Sequence, residues 1–207
     1  YRWDESGNRV DNSLRIIPND TVTFDKYGIE NKLQYAFKDN RPHGIWRDYY
    51  TNNQLWFEIE YKNGVPVGKY KSFFFDGTLH VKTYLKDGFI DGEYTEWYEN
   101  GNKKIEGWMS LSVKDSTWKF WDENGTLIKQ ETYKYNVLNG EFFTWNSNGV
   151  LIEKTNYIQG RQEGWGCKYY AQDTLESLMY YENGYYAGLQ KKFYRNGQLS
   201  KLSYQNT

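Results

Sequence analysis

The side chains best suited to chemistry are few and scattered. The two histidines, His43 and His80, stand 37 residues apart, His43 in a predicted turn and His80 on a predicted strand. No His, Cys and carboxylate set has the spacing of zinc ligands, and each histidine is expected on the surface. The single cysteine, Cys167 in "GWGCKYY", rules out an internal disulfide. The sequence places no base or orienting partner beside it, as a nucleophile would need, so it is expected as a small packed residue. Carboxylate pairs such as Glu58 with Glu60 and Asp122 with Glu123 could serve acid–base chemistry, but in this setting they mark a solvated face. The glycines recur at turns rather than ahead of a helix, so no phosphate-cradling loop is present. The sequence therefore predicts no catalytic residues, no metal and no cofactor, and function is sought on a surface.

Composition narrows that surface. The 207 residues hold 26 basic and 27 acidic side chains for a formal net charge of -1, which argues against nucleic acid or an anionic membrane surface as a partner held by bulk charge. Nine Trp, 21 Tyr and 11 Phe stand beside 19 Gly and only 3 Pro, the mixture expected of strands joined by tight turns. There is no apolar run long enough for a transmembrane helix. The first residue is Tyr1 rather than Met, and the expectation is a processed or trimmed chain acting outside the cytoplasm, secreted or at the envelope.

What would position a binding surface is a repeat. "GKYKSFFFDG" from Gly68, "GEYTEWYENG" from Gly92, "GEFFTWNSNG" from Gly140 and "GLQKKFYRNG" from Gly188 lie at multiples of 24 residues. Starts at Gly44, Gly68, Gly92, Ser116, Gly140, Gly164 and Gly188 give seven units in register, residues 44–207, without an insertion. Residues 1–43 form a degenerate N-terminal cap, in which "YAFKDNRPHG" matches the second half of a repeat. Strict periods of this size signal an array whose units contact their neighbours.

Within each unit the fifth residue after the start is aromatic (Tyr49, Phe73, Trp97, Trp121, Trp145, Tyr169, Phe193) and is expected to be the core column. A weaker column two residues after the start (Trp46, Tyr70, Tyr94, Trp118, Phe142) lapses at Gly166 and Gln190. Asn-Gly and Asp-Gly pairs such as Asn100-Gly101 predict a primed two-residue hairpin turn. Beyond it, a Leu such as Leu55 and an aromatic such as Tyr61 sit at even spacing, which predicts one strand face for both. A looser turn at Asn63-Gly64 and its equivalents closes the unit. The two aromatic columns are three residues apart, so either the sheet is aromatic on both faces or a bulge turns both inward. The polar residues between them favour the bulge. The predicted fold is all-β: an elongated, twisted antiparallel sheet or open solenoid of about seven 24-residue β-hairpins.

The recurring string G-x-W/Y-x-x-W/Y-Y-x-x-N-G-x-L, followed by Y-x-N-G-x-x-x-G, resembles the bacterial MORN repeat variant over about residues 35 to 204. That resemblance implies consecutive antiparallel hairpins and a role in protein–protein contact or membrane association, read here as a non-enzymatic scaffold for a protein partner. The label many such proteins carry implies an antitoxin with a toxin as that partner. A competing reading is a cell-surface binder of carbohydrate or choline-type ligands held in aromatic cages; its relatives share "NG" and aromatic elements but have a shorter period, about 20 residues. On either reading the candidate surface lies in aromatics the repeat does not require. Trp56, Trp108 and Trp165 stand outside both columns, and Tyr50, Phe74, Tyr98, Tyr170 and Tyr194 follow the core column by one residue, where they are expected to face the opposite side. Trp and Tyr dominate binding hot spots.

Overall fold

The structure, a computed structural model, describes residues 2–3, 9–10, 35–171 and 173–205. Most of the predicted cap over residues 1–43 lies outside them. What is described there is strand β1 (Arg2–Trp3) paired with β2 (Arg9–Val10), and a short hairpin of β3 (Phe37–Lys38) and β4 (Arg41–Pro42). In its turn Asp39 (φ 51°) and Asn40 (φ 60°) are both left-handed.

The repeats fold as the periodicity predicts, into antiparallel strands that follow chain order. The chain divides into two compact units, residues 1–103 with 109–112, and residues 104–108 with 113–207. The first unit holds β5 (Gly44–Tyr49), β6 (Leu55–Lys62), β7 (Val65–Phe73), β8 (Leu79–Lys86) and β9 (Phe89–Trp97). Strand β10 (Lys103–Ser110) has residues in both units. The second unit continues with β11 (Val113–Trp121), β12 (Leu127–Lys134), β13 (Val137–Trp145), β14 (Leu151–Ile158), the short β15 (Arg161–Gln162), β16 (Gly164–Ala171), β17 (Thr174–Glu182), β18 (Tyr185–Phe193) and β19 (Leu199–Gln205). No helix forms among the described residues.

The two turns of each repeat are interchanged relative to the sequence reading. The turn that follows the aromatic column closes over three residues: Tyr50 N–H donates to Gln54 O at 2.9 Å, and Asn53 N–H donates to Tyr50 O at 3.0 Å. Only the third loop residue, Asn53 at φ 68° or Gly101 at φ 83°, is left-handed, which is a type I turn with a one-residue bulge rather than the primed two-residue turn. The Asn or Asp before it caps the loop, as Asp76 Oδ1 accepts from Thr78 N–H at 2.8 Å. The second turn is the primed one. Asn63 (φ 53°) and Gly64 (φ 87°) are both left-handed between the paired residues Lys62 and Val65. These turns are tied to one another across repeats, for Gly88 N–H donates to Pro66 O at 3.0 Å and Asn136 N–H to Lys114 O at 2.8 Å.

A bulge is present, but it does not turn both aromatic columns inward. Asp48 pairs with Phe57 and Tyr49 with Leu55, so the extra residue, Trp56, lies on the following strand. The same shift recurs at Ser72/Phe73, Phe120/Trp121, Thr144/Trp145 and Lys192/Phe193. The first strand therefore alternates regularly, and residues at odd spacing take opposite faces. In each unit the face that carries the second column is named face A: Trp46, Tyr70 and Tyr94 in the first unit, Trp118 and Phe142 in the second. Face B carries the column once expected as core, and Phe143 stacks on Trp145 at 5.7 Å, two residues along on that face. The bulge also separates Leu55, opposite Tyr49 on face B, from Tyr61, opposite Gly44 on face A.

In each unit the tightest packing is on face A. Its buried residues include Ile59, Thr83, Trp118, Thr155 and Tyr181, whereas Tyr49, Phe73, Trp121 and Trp145 are only half-buried. Trp118, 2% exposed, lies flat over Gly107, where a Cβ would meet the indole ring. Its Nε1–H lies 3.1 Å from Asp115 O and 3.2 Å from Trp108 O. Lys114 Nζ sits 4.7 Å from the Trp118 ring, 4.9 Å from Tyr133 and 5.2 Å from Phe120. The aromatic column that lapses at Gly166 is replaced there by Tyr181, which reaches across from β17.

Candidate functional site

The eight aromatics singled out from the sequence part into two groups. Tyr50 is a strut: its hydroxyl donates to Phe73 O at 2.8 Å, and its ring packs 5.3 Å from Phe75. Tyr170 repeats the device by donating to Phe193 O at 3.1 Å, with Arg195 5.1 Å above its ring. Trp56, the bulge residue, packs 4.9 Å from Phe57 and 6.2 Å from Tyr50. Phe74 lies 4.3 Å from His80, and Tyr98 is half-buried at the head of its turn. Tyr50, Trp56, Phe74 and Tyr170 thus pack against neighbouring residues of the repeats. Trp108, Trp165 and Tyr194 remain exposed, at 46%, 49% and 58%.

Trp165 belongs to a larger surface that the sequence reading missed. It pairs with Tyr180 across β16 and β17, with ring centroids 5.2 Å apart. On the same face Leu189 pairs with Tyr204, Lys191 with Leu202 and Phe193 with Leu199. Leu199, Leu202 and Tyr204 are 50%, 57% and 73% exposed. The second unit thus shows an aromatic and aliphatic patch on face B, in the last two hairpins. The signal for it was strand parity: once the bulge falls at Ser200, Leu199, Leu202 and Tyr204 share one face.

Face A of the first unit is a shallow apolar groove of about 380 Å³, lined by Ile59, Pro66, Tyr70, Val81, Leu85, Ile90 and Tyr94 over the buried Thr83. Thr83 Oγ1 donates to Glu93 O at 2.9 Å, so the floor of the groove is satisfied. Its polar groups are carboxylates held by phenols. Tyr94 donates to Glu96 at 3.2 Å, and burial, then the Glu96 charge, pushes the Tyr94 phenol up to about 12. Nearby, Tyr35 donates to Asp48 at 3.2 Å, and burial raises that carboxyl. In the second unit Tyr133 donates to the buried Glu131 at 2.8 Å beside Lys129 at 3.0 Å, and its phenol is likewise raised by burial and by that bond.

None of this assembles a reaction centre. His43 Nδ1 accepts from Asn63 N–H at 3.4 Å in a turn, and His80 Nε2 lies 3.9 Å from Glu96. Cys167 is half-buried, opposite Lys154 and Leu178 on face B. Among the described residues no group of three or more His, Cys, Asp or Glu is placed to hold a metal ion. The ring cluster of Trp118, Phe120 and Tyr133 is occupied by the chain's own Lys114.

The fold and its surfaces define a β-hairpin repeat protein, with a grooved face in its first unit and an exposed apolar patch in its second. The family model for the MORN repeat variant matches residues 42–63, 90–107, 114–135, 138–159 and 187–206, about half of the chain in five segments, and the chain belongs to that family. The first four matched segments begin two residues before the repeat start, on the strand that leaves the primed turn. No curated protein matches the chain.

Proposed function

We propose that the protein is a non-catalytic scaffold that holds a protein partner through the face B patch of its second unit. The observation that carries this reading is the run of Trp165, Leu199, Leu202 and Tyr204, all about half exposed or more on one face. Such residues cost solubility unless covered, and aromatic anchors supply most of the energy at protein interfaces. A bacterial toxin, neutralised by this scaffold as antitoxin, is the partner suggested by the likeness of the repeats to antitoxin-labelled proteins. The aromatic-cage alternative lacks support of this kind, because among the described residues the rings of Trp118, Phe120 and Tyr133 are filled by Lys114 and those of Tyr35, Phe37 and Tyr61 pack on Trp46.

The test is to replace Trp165 and Tyr204 by Ser, singly, and to measure melting temperature together with capture of the partner from the native source. The expected result is loss of capture at unchanged melting temperature. Retained capture in both variants refutes the patch as the interface, and a captured protein without toxic activity refutes the antitoxin role.

A further inference from the structure

On face A of the second unit one row of residues crosses the last strands in register. Glu153 pairs with Lys168, Lys168 with Ser177, Ser177 with Lys192, and Lys192 with Lys201. Lys168 lies 3.9 Å from Glu153, and its side chain is 51% exposed. Lys192 and Lys201 are exposed, directly opposite one another, and make no ion pair among the described residues. Like charges placed directly across strands destabilise a sheet. Elsewhere this row avoids the cost, with Phe57 opposite Asp48, Val81 opposite Ser72 and Glu153 opposite Thr144. A local rule broken without compensation inside the protein points to compensation from outside it.

From these positions we propose that the row is a docking track for an extended acidic segment of a protein partner, running across strands β16 to β19. Three strand spacings of about 4.8 Å place the outer lysines roughly 14 Å apart, and carboxylates on alternate residues of an extended chain recur every 6.6 to 6.8 Å or so. Carboxylates at i, i+2 and i+4 therefore span about the same length as the three ammonium groups. Further along the same face Tyr181 and Tyr186 pack at 5.1 Å, with Tyr186 44% exposed, an apolar border suited to the body of a peptide rather than to a bare polyanion. Gln190, half-buried between these two rows, donates its amide to Gln205 at 3.4 Å. The inference deepens the scaffold reading, on which it rests, by giving the partner's chemistry at a second surface.

The experiment is fluorescence anisotropy of the whole chain with a labelled peptide alternating Glu and Ser, at low and at physiological salt, with the Gln analogue, inorganic polyphosphate and anionic phosphatidylglycerol vesicles as comparators. The peptide is expected to bind, more weakly in salt, and the Gln analogue to fail. Lys201→Glu is expected to lose tenfold or more in affinity while its melting temperature rises, because the new carboxylate faces Lys192. Lys201→Gln should lose affinity without gaining a counter-charge. Trp165→Ser should leave the titration unchanged, so failure of the face B interface and failure of this track are read separately. Absence of peptide binding, equal or tighter binding of polyphosphate or vesicles, unchanged affinity in Lys201→Glu, or a lowered melting temperature in that variant overturns the proposal.

Discussion

Replacing Trp118 by Ala tests where the core of the array lies. A buried aromatic side chain removes up to about 250 Å² from water, worth about 6 kcal/mol at about 25 cal/mol per Å². Residual compactness of the unfolded chain lowers that by roughly 10–40%. The outcome, about 4 to 5 kcal/mol, agrees with the range of about 3–5 kcal/mol for deleting a large aromatic from a packed core. The structure adds reasons for the upper part of that range: Trp118 is 2% exposed, sits flat on Gly107 and donates toward two carbonyls. Trp145 is half-buried on face B, so Trp145→Ala should cost about half as much by the same area argument. Urea denaturation followed by circular dichroism gives both midpoints. A larger loss in Trp145→Ala than in Trp118→Ala would refute the assignment of face A as the packed face.

Two further outcomes follow from local geometry. Leu111 holds a left-handed backbone at φ 49° in a primed turn and is 60% exposed, so Leu111→Asn should stabilise by about 1 kcal/mol, the cost of that conformation for an ordinary side chain; no gain in denaturation midpoint contradicts it. Burial raises the phenols of Tyr61, Tyr70, Tyr133 and Tyr181, and raises Tyr94 to about 12. The folded state then holds more protons than the unfolded state above pH 10, so stability present below pH 10 should fall as pH rises, for Tyr94 through about pH 12. Absorbance at 295 nm should show ionisation coinciding with loss of the fold, later than in free tyrosine, and Tyr94→Phe should move the alkaline midpoint upward.

The repeat period, strand class and hairpin sense were legible because each recurs seven times, and a left-handed backbone restricts residue choice at every recurrence. Asn63-Gly64 and Asn100-Gly101 look alike as dipeptides. They differ only in the number of residues the strands leave between the last pairs, which is set by ladder hydrogen bonds and not by composition. The faces were illegible for a related reason. A one-residue bulge at Trp56 or Ser200 leaves no mark in residue type, since Trp, His, Ile, Glu and Ser all occupy that place, yet it reverses the parity of everything beyond it. A period-two argument carried across an unseen bulge puts a side chain on the wrong face.

That parity reversal also explains why only part of the candidate surface was found. Tyr50 and Tyr170 are surplus to one hairpin but are needed between two, each hydroxyl reaching a carbonyl 23 residues ahead; their aromatic character belongs to the stacking of repeats. Trp165, which packs on Tyr180 of its own hairpin, and the facing pair Lys192 and Lys201 serve no such contact. Where the regular repeats oppose Lys71 and Lys82, Glu58 stands across from Lys71, whereas Lys192 lies between Ser177 and Lys201 and faces no carboxylate. The departures from the repeat that carry no structural return are concentrated after Gly164, where the second aromatic column has also lapsed. In a molecule whose regular positions are used up in holding neighbours together, recognition is left to the positions where regularity fails. The last two hairpins, with an apolar patch on one face and on the other a cationic row in which Lys192 faces Lys201, are where those positions cluster.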